Sequence, residues 1–369
     1  MKIAFYMNCV STHQLPLARA VAALVGTSNF RYVHAGEAGQ AYQMARGEVG
    51  VDVLEDRSAE GRDWLETADV VLIGGIRPID LMERRAAKGL KTFYQSERWF
   101  KPRLGRLRLL VPSYRRMVKR FVKVVNENDC VKFLAIGPWA KRDFLRMGVR
   151  AEKIVDWGYF VEPSRFGGFG TQVPAAHAEL DEACVPTPLP AAGRHDCVSS
   201  CCDPRVLKVL WAGRDIPLKH VKDIERAVAL ANAKIVVDES CSCRMDGREP
   251  ITFTKLTGVT PAEVRAAMRE HDVFVMASNG YEGWGAVVSE ALEEGMDVVG
   301  TWECGACPTL LPKERLYHCG DVQALAKLLM LEVKSLGEGE GRSLLPPCRV
   351  GEWTAKRAAE RLVALVRQG

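Results

Sequence analysis

Along positions 1–160, short apolar runs alternate with longer segments in which apolar residues recur every three or four positions. The short runs predict β-strands over 2–7, 30–34, 49–54, 69–74, 91–95 and 133–137. The longer segments predict helices over 13–24, 78–88 and 141–147. Strands joined through helices run parallel with right-handed crossovers, so this part of the chain predicts a doubly wound sheet.

The pattern stops between positions 166 and 205, where Gly, Pro, Ala and Cys are frequent, and then resumes. After this break, strands are predicted over 206–212, 233–238, 251–257, 272–277 and 297–301. Helices are predicted over 221–231, 261–271, 284–294, 322–336 and 352–367. A second doubly wound unit therefore follows the first.

These patterns predict an α/β protein with two Rossmann-like, doubly wound domains that face a central cleft. The predicted N-terminal domain spans 1–165, a linker 166–205, the C-terminal domain 206–350, and a last segment 351–369. Doubly wound sheets bind ligands at the carboxyl ends of their strands. We therefore expect the ligand site in the cleft.

Composition narrows the function. The chain has 369 residues, 47% of them hydrophobic, and a formal net charge of +5, too small to indicate nucleic-acid binding. No apolar run reaches the roughly 18 residues that span a bilayer, and the first residues do not resemble a signal peptide. A cytoplasmic location is predicted, in which the twelve cysteines are mostly free thiols.

The segment 282–291, EGWGAVVSEA, carries the strongest chemical signal. Gly283 and Gly285 let the backbone approach a ligand, and a helix is predicted to begin near Trp284. The free N–H groups at a helix start favour an anion such as a phosphate. The carboxylates of Glu282 and Glu290 are suited to accept hydrogen bonds from sugar and ribose hydroxyl groups.

The first strand of the second domain leads into the segment 211–219, WAGRDIPLK. Gly213 frees a turn, after which Arg214 and Lys219 place two cations at the carboxyl end of the strand. A nucleoside diphosphate gains negative charge as it leaves a sugar, and each fixed cation can stabilise that transition state by roughly 3–4 kcal/mol. We predict Glu282, Arg214 and Lys219 as catalytic residues.

Over about 206–310 the chain resembles glycosyltransferase family 4, whose pattern pairs a Gly-Arg-x4-Lys turn with a Glu-x7-Glu motif. Arg214, Lys219, Glu282 and Glu290 fall on those four positions. The resemblance implies the GT-B fold and retaining transfer of a hexosyl unit from a UDP- or GDP-sugar. It also implies that the N-terminal domain binds a glycan or lipid-linked glycan acceptor, that the C-terminal domain binds the nucleotide sugar, and that no metal or other cofactor is needed.

By the same resemblance, Arg214 and Lys219 bind the donor diphosphate, whereas Glu282 and the backbone of 283–285 hold the transferred sugar and phosphate. Glu290 holds the ribose, the base rests against 256–259, and the last helix crosses back to the N-terminal domain. The expected donor-binding residues are Gly213, Gly283, Trp284, Gly285, Glu290, Thr257 and Val259.

The N-terminal domain departs from the family pattern. Positions 10–14 read VSTHQ where many relatives carry a Gly-Gly turn, which places His13 near the expected diphosphate. The segment 94–98 stands where relatives often carry a sugar-facing histidine. His13, Gln95, Ser96 and Glu97 are therefore candidate contacts to the sugar or the acceptor.

Between positions 101 and 125 the chain is basic and amphipathic, with nine Lys or Arg and no acidic residue. Such a helix suits an anionic membrane surface, where each Lys or Arg adds about 1 kcal/mol. The alternative is an ordinary helix whose apolar side lies in the core. Pro112 is expected to break or delay the helix. Tyr114 and Phe121 fall on the apolar stripe, which disfavours nucleic acid as a partner.

A metal site is not expected. Cys304 and Cys307 have the spacing of a zinc knuckle, but no second knuckle is close in sequence. The remaining candidates are a Cys/His cluster over 184–202 and the pair Cys241 and Cys243.

Two alternative functions fit the same architecture. A nucleotide-sugar epimerase would use the donor without an acceptor, but it needs acid/base groups that the sequence does not place. A non-catalytic, membrane-associated adaptor would not need the four charged positions of the motif. An NAD-dependent dehydrogenase is disfavoured because no Gly-x-Gly-x-x-Gly follows the first strand of either domain.

Overall fold

A computed structural model describes residues 1–36, 49–102, 105–161, 206–237, 249–337, 345 and 353–367. The predicted linker 166–205 lies outside the described residues. The described residues form two parallel sheets, one in each half of the chain.

The N-terminal half contains a seven-stranded sheet. Its strands are β1 (Ile3–Met7), β2 (Phe30–His34), β3 (Val53–Glu55), β4 (Val70–Gly74), β5 (Lys91–Ser96), β6 (Val131–Ile136) and β7 (Ile154–Trp157). Its helices are α1 (Leu15–Val25), α2 (Ala59–Thr67), α3 (Ile79–Ala87), α4 (Pro112–Glu127) and α5 (Pro138–Met147). The strands are parallel in the order β3-β2-β1-β4-β5-β6-β7. Strand β4 is buried throughout, as expected for a sheet covered on both faces.

The C-terminal half contains a five-stranded sheet. Its strands are β8 (Leu207–Ala212), β9 (Ile251–Leu256), β10 (Val273–Met276), β11 (Asp297–Thr301) and β12 (Leu316–Tyr317). Its helices are α6 (Val221–Val237), α7 (Pro261–Met268), α8 (Ala286–Glu293), α9 (Cys307–Leu310) and α10 (Val322–Gly337), and α11 (Ala355–Arg367) ends the described chain. All strand pairs are parallel in the order β12-β11-β10-β8-β9.

Both sheets reverse their strand order at one internal position. The reversal lies between β1 and β4 in the first sheet and between β8 and β10 in the second. Ligands of doubly wound sheets bind beyond the carboxyl ends of the strands at such a position. The prediction of two Rossmann-like domains is confirmed, and each half has one point at which a ligand is expected.

The two halves are in direct contact. The indole N–H of Trp139 donates to the carbonyl of Trp302 over 2.9 Å, and the backbone of Gly305 approaches Gly137. Helix α11 packs on α1, so the end of the described chain contacts the N-terminal half. These contacts close the molecule around the space between the sheets.

The strand predicted over 233–238 is wrong. Helix α6 continues to Val237, and position 238 lies outside the described residues. The side chain of Asn232 bonds the backbone N–H and carbonyl of Ile251, each over 3.0 Å, which ties the helix to the edge strand β9. This tertiary contact and the apolar helical spacing of Ile224, Ala227 and Ala231 outweigh the β-propensity of the last residues of α6.

Helix α4 buries the apolar stripe of the basic segment. Val118, Phe121 and Val125 lie in the N-terminal core. Pro112 is the first residue of α4, a position that does not need an N–H. A separate 3₁₀ turn, Gly105–Leu110, precedes it. Next to the helix start, three apolar residues are exposed by 63%, 77% and 51%: Leu107, Leu110 and Val111. In the described parts of the chain, no helix is long and apolar enough to cross a membrane.

Candidate active site

The loops after β8 and β10 meet at the switch point of the C-terminal sheet. The backbone N–H of Asn279 donates to the carbonyl of Leu218 over 2.9 Å. The N–H of Glu282 donates to the carbonyl of Asn279, also over 2.9 Å. These bonds join the turn that carries Lys219 to the loop that carries Glu282. The two segments singled out in the sequence therefore lie side by side.

Lys219 and Glu282 form an ion pair across this junction. Their side chains are only 15% and 20% exposed, so water screens this pair less than a surface pair. Lys219 ends the 3₁₀ turn Pro217–Lys219. Arg214 begins the same loop and is exposed. The structure thus brings one predicted cation to the predicted carboxylate and places the second cation nearby in the chain.

His220 holds the Lys219 turn in place. It adopts φ 51°, in the left-handed region that non-glycine residues rarely occupy. Its Nδ1 lies 2.9 Å from Asp223 Oδ2, and its Nε2 lies 3.3 Å from the amide nitrogen of Asn279. An Asn279 N–H that donates to Nε2 leaves the ring proton on Nδ1, from which it donates to Asp223. The sequence did not single out His220, although its position directly after Lys219 was a signal.

Helix α8 begins at Ala286 rather than at the predicted Trp284. Gly285 precedes it at φ 86°, where a residue with a Cβ would be strained. Among the described residues, no side chain caps the first turn. The N–H of Val288 donates to the carbonyl of Gly285, and an anion at this helix start stays a prediction.

The side chain of Trp284 lies in the core between the halves. Its indole is fully buried, and a Cβ on Gly158 would lie 2.6 Å from its ring. Its ring centroid is 5.9 Å from that of Trp353. The buried indole does not line the cleft, so the predicted contact of Trp284 with the donor would be made by its backbone.

Glu97 reaches the Glu282 loop from the other half of the molecule. It follows β5, and a Cβ built on Gly283 would lie 1.9 Å from its carboxyl carbon. Burial raises the pKa of Glu97, and the nearby Glu282 raises it further. Lys101 and a hydrogen bond from Tyr159 act in the opposite direction. Glycine at position 283 thus makes room for a carboxyl group from the facing sheet.

His13 joins this cluster from the loop between β1 and α1. Its ring stacks on Tyr159, with centroids 5.8 Å apart and planes inclined by 24°. Burial lowers the pKa of His13 from 6.5, and Glu282 opposes this shift in part. The ring is therefore neutral at pH 7. Burial holds the pKa of Tyr159 well above its usual value, so its hydroxyl stays protonated and donates to Glu97.

A cavity of about 400 Å³ opens between the halves. Both halves line it: Thr12, His13 and Arg19 on one side, and Gly213, Val259, Pro261, Arg265 and Glu290 on the other. Its volume is typical of small-molecule sites, roughly 300–1,000 Å³. Burial raises the pKa of Glu290, and Arg265 opposes this shift. Thr257, also predicted to bind the donor, is exposed and lies outside this lining.

A second cavity, of about 210 Å³, lies beside the switch point of the N-terminal sheet. Gln95, Ser96 and Glu97 line it together, so the three residues suggested by the sequence share one place. The amide nitrogen of Gln95 donates to Gln14 Oε1 over 3.0 Å. Arg77 and Tyr159 also line it and were not singled out, although Arg77 closely follows the carboxyl end of β4.

The cysteines of the described chain are free thiols. Cys304 and Cys307 are both fully buried, and the thiol of Cys304 donates to the carbonyl of Trp284. Within the described ranges, no group of three or more His, Cys, Asp or Glu could hold a metal ion. The cluster over 184–202 and the pair Cys241 and Cys243 lie outside these ranges.

Known structures share this architecture at low sequence identity. The OtsA apo structure matches with a TM-score of 0.60 and 12% identity over 100% of both chains. HepE from Anabaena in complex with UDP matches with a TM-score of 0.54 and 13% identity over 100% of this chain and 98% of that one. The lipopolysaccharide outer core galactosyltransferase WaaB in its apo form matches with a TM-score of 0.55 and 13% identity, over 100% and 99%.

No protein-family model matches the sequence, and no curated protein matches it significantly. At these identities the structural similarity shows the fold, which is GT-B: two Rossmann-like domains that face a cleft.

Proposed function

We propose that this chain is a glycosyltransferase that takes a hexosyl unit from a nucleotide diphosphate sugar bound between its two halves. One observation carries this proposal: the Lys219–Glu282 ion pair lies at the switch point of the C-terminal sheet, in the loop that leads to the uncapped start of α8. Fold-level similarity supports it, since the HepE structures contain UDP or UDP-glucose.

The donor would lie across the 400 Å³ cavity. Lys219, Arg214 and the first turn of α8 would bind the diphosphate, because each presents N–H donors with positive charge or dipole. Glu290 lines the cavity and would accept hydrogen bonds from the ribose hydroxyls. Val259, also in the lining, would contact the base of a UDP- or GDP-sugar.

The chemistry would proceed with retention of configuration. The bond between the anomeric carbon and the phosphate oxygen breaks while the acceptor oxygen bonds to the same face of the sugar. The departing phosphate oxygen takes the proton of the acceptor hydroxyl. Lys219 would stabilise the charge that develops on the leaving diphosphate, and Glu282 would hold the hydroxyls of the transferred sugar. The acceptor would be a glycan or a lipid-linked glycan, and no metal is required.

Replacement of Lys219 tests this proposal. Lys219→Ala should reduce turnover of the preferred donor by roughly 10²–10³-fold, because one fixed donor to a developing anion is lost. Lys222→Ala, an exposed lysine on the neighbouring helix, is the matched control and should behave as wild type. A panel of UDP- and GDP-sugars identifies the donor. Wild-type protein that binds neither UDP nor GDP in calorimetry would refute the proposal.

A nucleotide-sugar epimerase is a second candidate, favoured by the cluster of His13, Glu97 and Glu282. These groups could act as the acid/base residues that an epimerase needs. Burial lowers the pKa of His13 and raises that of Glu97, and the charge of Glu282 acts on both. Incubation with donor alone in D₂O separates the two functions. An epimerised sugar that carries solvent deuterium would indicate an epimerase. A donor that is unchanged would be consistent with the transferase.

A peripheral membrane location would suit a lipid-linked acceptor. The patch formed by Leu107, Leu110 and Val111 is exposed beside the basic start of α4. Apolar side chains that enter the headgroup region, flanked by Lys and Arg, favour an anionic bilayer. Because the apolar stripe of α4 is buried, the apolar part of the contact expected from the sequence would come from this patch.

A further inference from the structure

We propose that the 210 Å³ cavity of the N-terminal half is the acceptor subsite and takes a single sugar unit that carries an anionic group. This inference rests on the proposed transferase function and adds the chemical class of the acceptor. The residues that carry it are Gln14, Gly75, Arg77, Gln95, Glu97 and Tyr159.

The position of the cavity suits an acceptor. It lies at the carboxyl ends of β4 and β5, beside the switch point between β1 and β4. Glu97 forms part of its lining and also abuts Gly283, the residue after Glu282. The cavity therefore adjoins the loop that would hold the transferred sugar. An acceptor hydroxyl must lie at this junction to reach the anomeric carbon.

The size and polarity of the cavity suit one sugar ring. Its volume is below the roughly 300–1,000 Å³ of sites for drug-sized ligands. Gln95 is 1% exposed, and its Oε1 has no hydrogen-bond partner among the described residues. A buried oxygen of this kind is unfavourable unless a donor reaches it. A sugar hydroxyl in the cavity would be that donor.

Arg77 gives the cavity its charge preference. Its guanidinium lies 4.6 Å from the centroid of the Trp99 ring and donates to the hydroxyl of Tyr94. No carboxylate of the described chain forms an ion pair with Arg77. Stacking on Trp99 orients its planar fork, which suits a phosphate or a carboxylate.

The other arginine of this cavity is already engaged. Arg98 pairs with the buried carboxylate of Asp143 over 3.5 Å and donates to the carbonyl of Gly280 over 3.3 Å. Its charge is therefore largely compensated within the protein. An anionic group on the acceptor would be recognised by Arg77, at the exposed end of the cavity, while the ring of the sugar lies towards Gln95 and Glu97.

Calorimetry on the full chain saturated with UDP tests this subsite. The probes are glucose 6-phosphate, glucuronate, glucose and inorganic phosphate. We expect at least one anionic sugar to bind about tenfold more tightly than glucose, the effect of one charge-assisted hydrogen bond. The phosphate and carboxylate probes show which anion is preferred. Glucose that binds as tightly as both anionic sugars would overturn the proposal, as would inorganic phosphate that binds as tightly as glucose 6-phosphate.

Variants locate the effect. Arg77→Gln should remove the preference for the anionic sugar, whereas Arg116→Gln, an exposed arginine on α4, should retain it. Gln95→Met should weaken the anionic sugar and glucose alike. An unchanged preference in Arg77→Gln would overturn the assignment. UDP titrated alone tests the transferase function separately: loss of UDP binding with sugar phosphate binding retained refutes the transferase and not the subsite.

Discussion

The approach of Glu97 to Gly283 makes the substitution Gly283→Ala a sensitive probe of the contact between the halves. The added Cβ would lie 1.9 Å from the carboxyl carbon of Glu97, where real Cβ contacts are not found below 3.0 Å. The carboxyl group must therefore move by more than about 1 Å. The backbone at Gly283 does not have a positive φ, so alanine brings a steric conflict without backbone strain.

The loss of stability in Gly283→Ala can be derived from the interactions of the displaced Glu97 carboxyl group. Its carboxyl is buried and accepts a hydrogen bond from Tyr159, and displacement weakens this bond in an enclosed place. Overpacking and a lost buried hydrogen bond each cost about 1–3 kcal/mol. Because the end of a glutamate side chain is flexible, we expect the lower part of the combined range. Gly283→Ala should reduce the free energy of unfolding by about 2–3 kcal/mol.

A double-mutant cycle measured by thermal and urea unfolding isolates the contact. In a Glu97→Ala background the carboxyl group is gone, and Gly283→Ala should cost less than about 0.5 kcal/mol. Gly305→Ala is the matched comparison, since its Cβ would lie 2.2 Å from the backbone carbonyl of Gly283 and no side chain can yield. The cost of Gly305→Ala should therefore be the same in the Glu97→Ala background as in the wild type. An equal cost of Gly283→Ala in both backgrounds would refute the reasoning.

Arg85, Glu97 and the exposed apolar patch can each be tested by substitution. Arg85→Met should cost about 2–4 kcal/mol in urea unfolding, because this buried guanidinium bonds three backbone carbonyls and a hydroxyl; Arg84→Met, on the surface, should cost under about 0.5 kcal/mol, and equal costs would contradict this role. The pKa of Glu97 is raised above 4.5 on folding, so the stability from its protonated form is present below pH 4.5 and is lost as the pH rises through the folded value. Glu97→Gln should therefore melt at a higher temperature than wild type at pH 8 and lose this advantage by pH 4; an advantage independent of pH would contradict the assignment. In the last variant, Leu107, Leu110 and Val111 of the exposed patch are all replaced by Ser. Flotation with vesicles that contain anionic lipid should recover the wild type and much less of this variant. Equal recovery would show that the patch does not bind the membrane.

The parallel architecture could be predicted because its strands are short apolar runs between helical segments. Elements with weaker patterns were missed. Helix α2 buries only Gly61, Trp64 and Leu65, so its sequence lacks an apolar stripe. Strand β7 is four residues long. At the end of α6, three β-branched residues favoured a strand, and only the contact of Asn232 with β9 reveals why the helix continues.

The site was predicted from the spacing of residues within one domain. Contacts between the two halves could not be predicted in this way. Lys219 and Glu282 follow neighbouring strands of one sheet, so a local motif was enough to expect them together. The burial of Trp284 depends on Gly158 and Trp353, which belong to other parts of the molecule. No spacing within the motif carries that information. The same holds for the close contact between Glu97 and Gly283.

The candidate site combines residues held within one half with residues supplied by the other half. The Lys219 turn and the Glu282 loop are joined by backbone hydrogen bonds within the C-terminal half, which fix the position of one relative to the other. Glu97, His13 and Tyr159 come from the N-terminal half and reach the same place only through contact between the halves. Changes at Lys219 should therefore act on donor binding and on the chemical step, and leave the contact between the halves unchanged. Changes at Glu97 should alter the stability of the contact between the halves. They should also alter binding of the acceptor sugar in the second cavity.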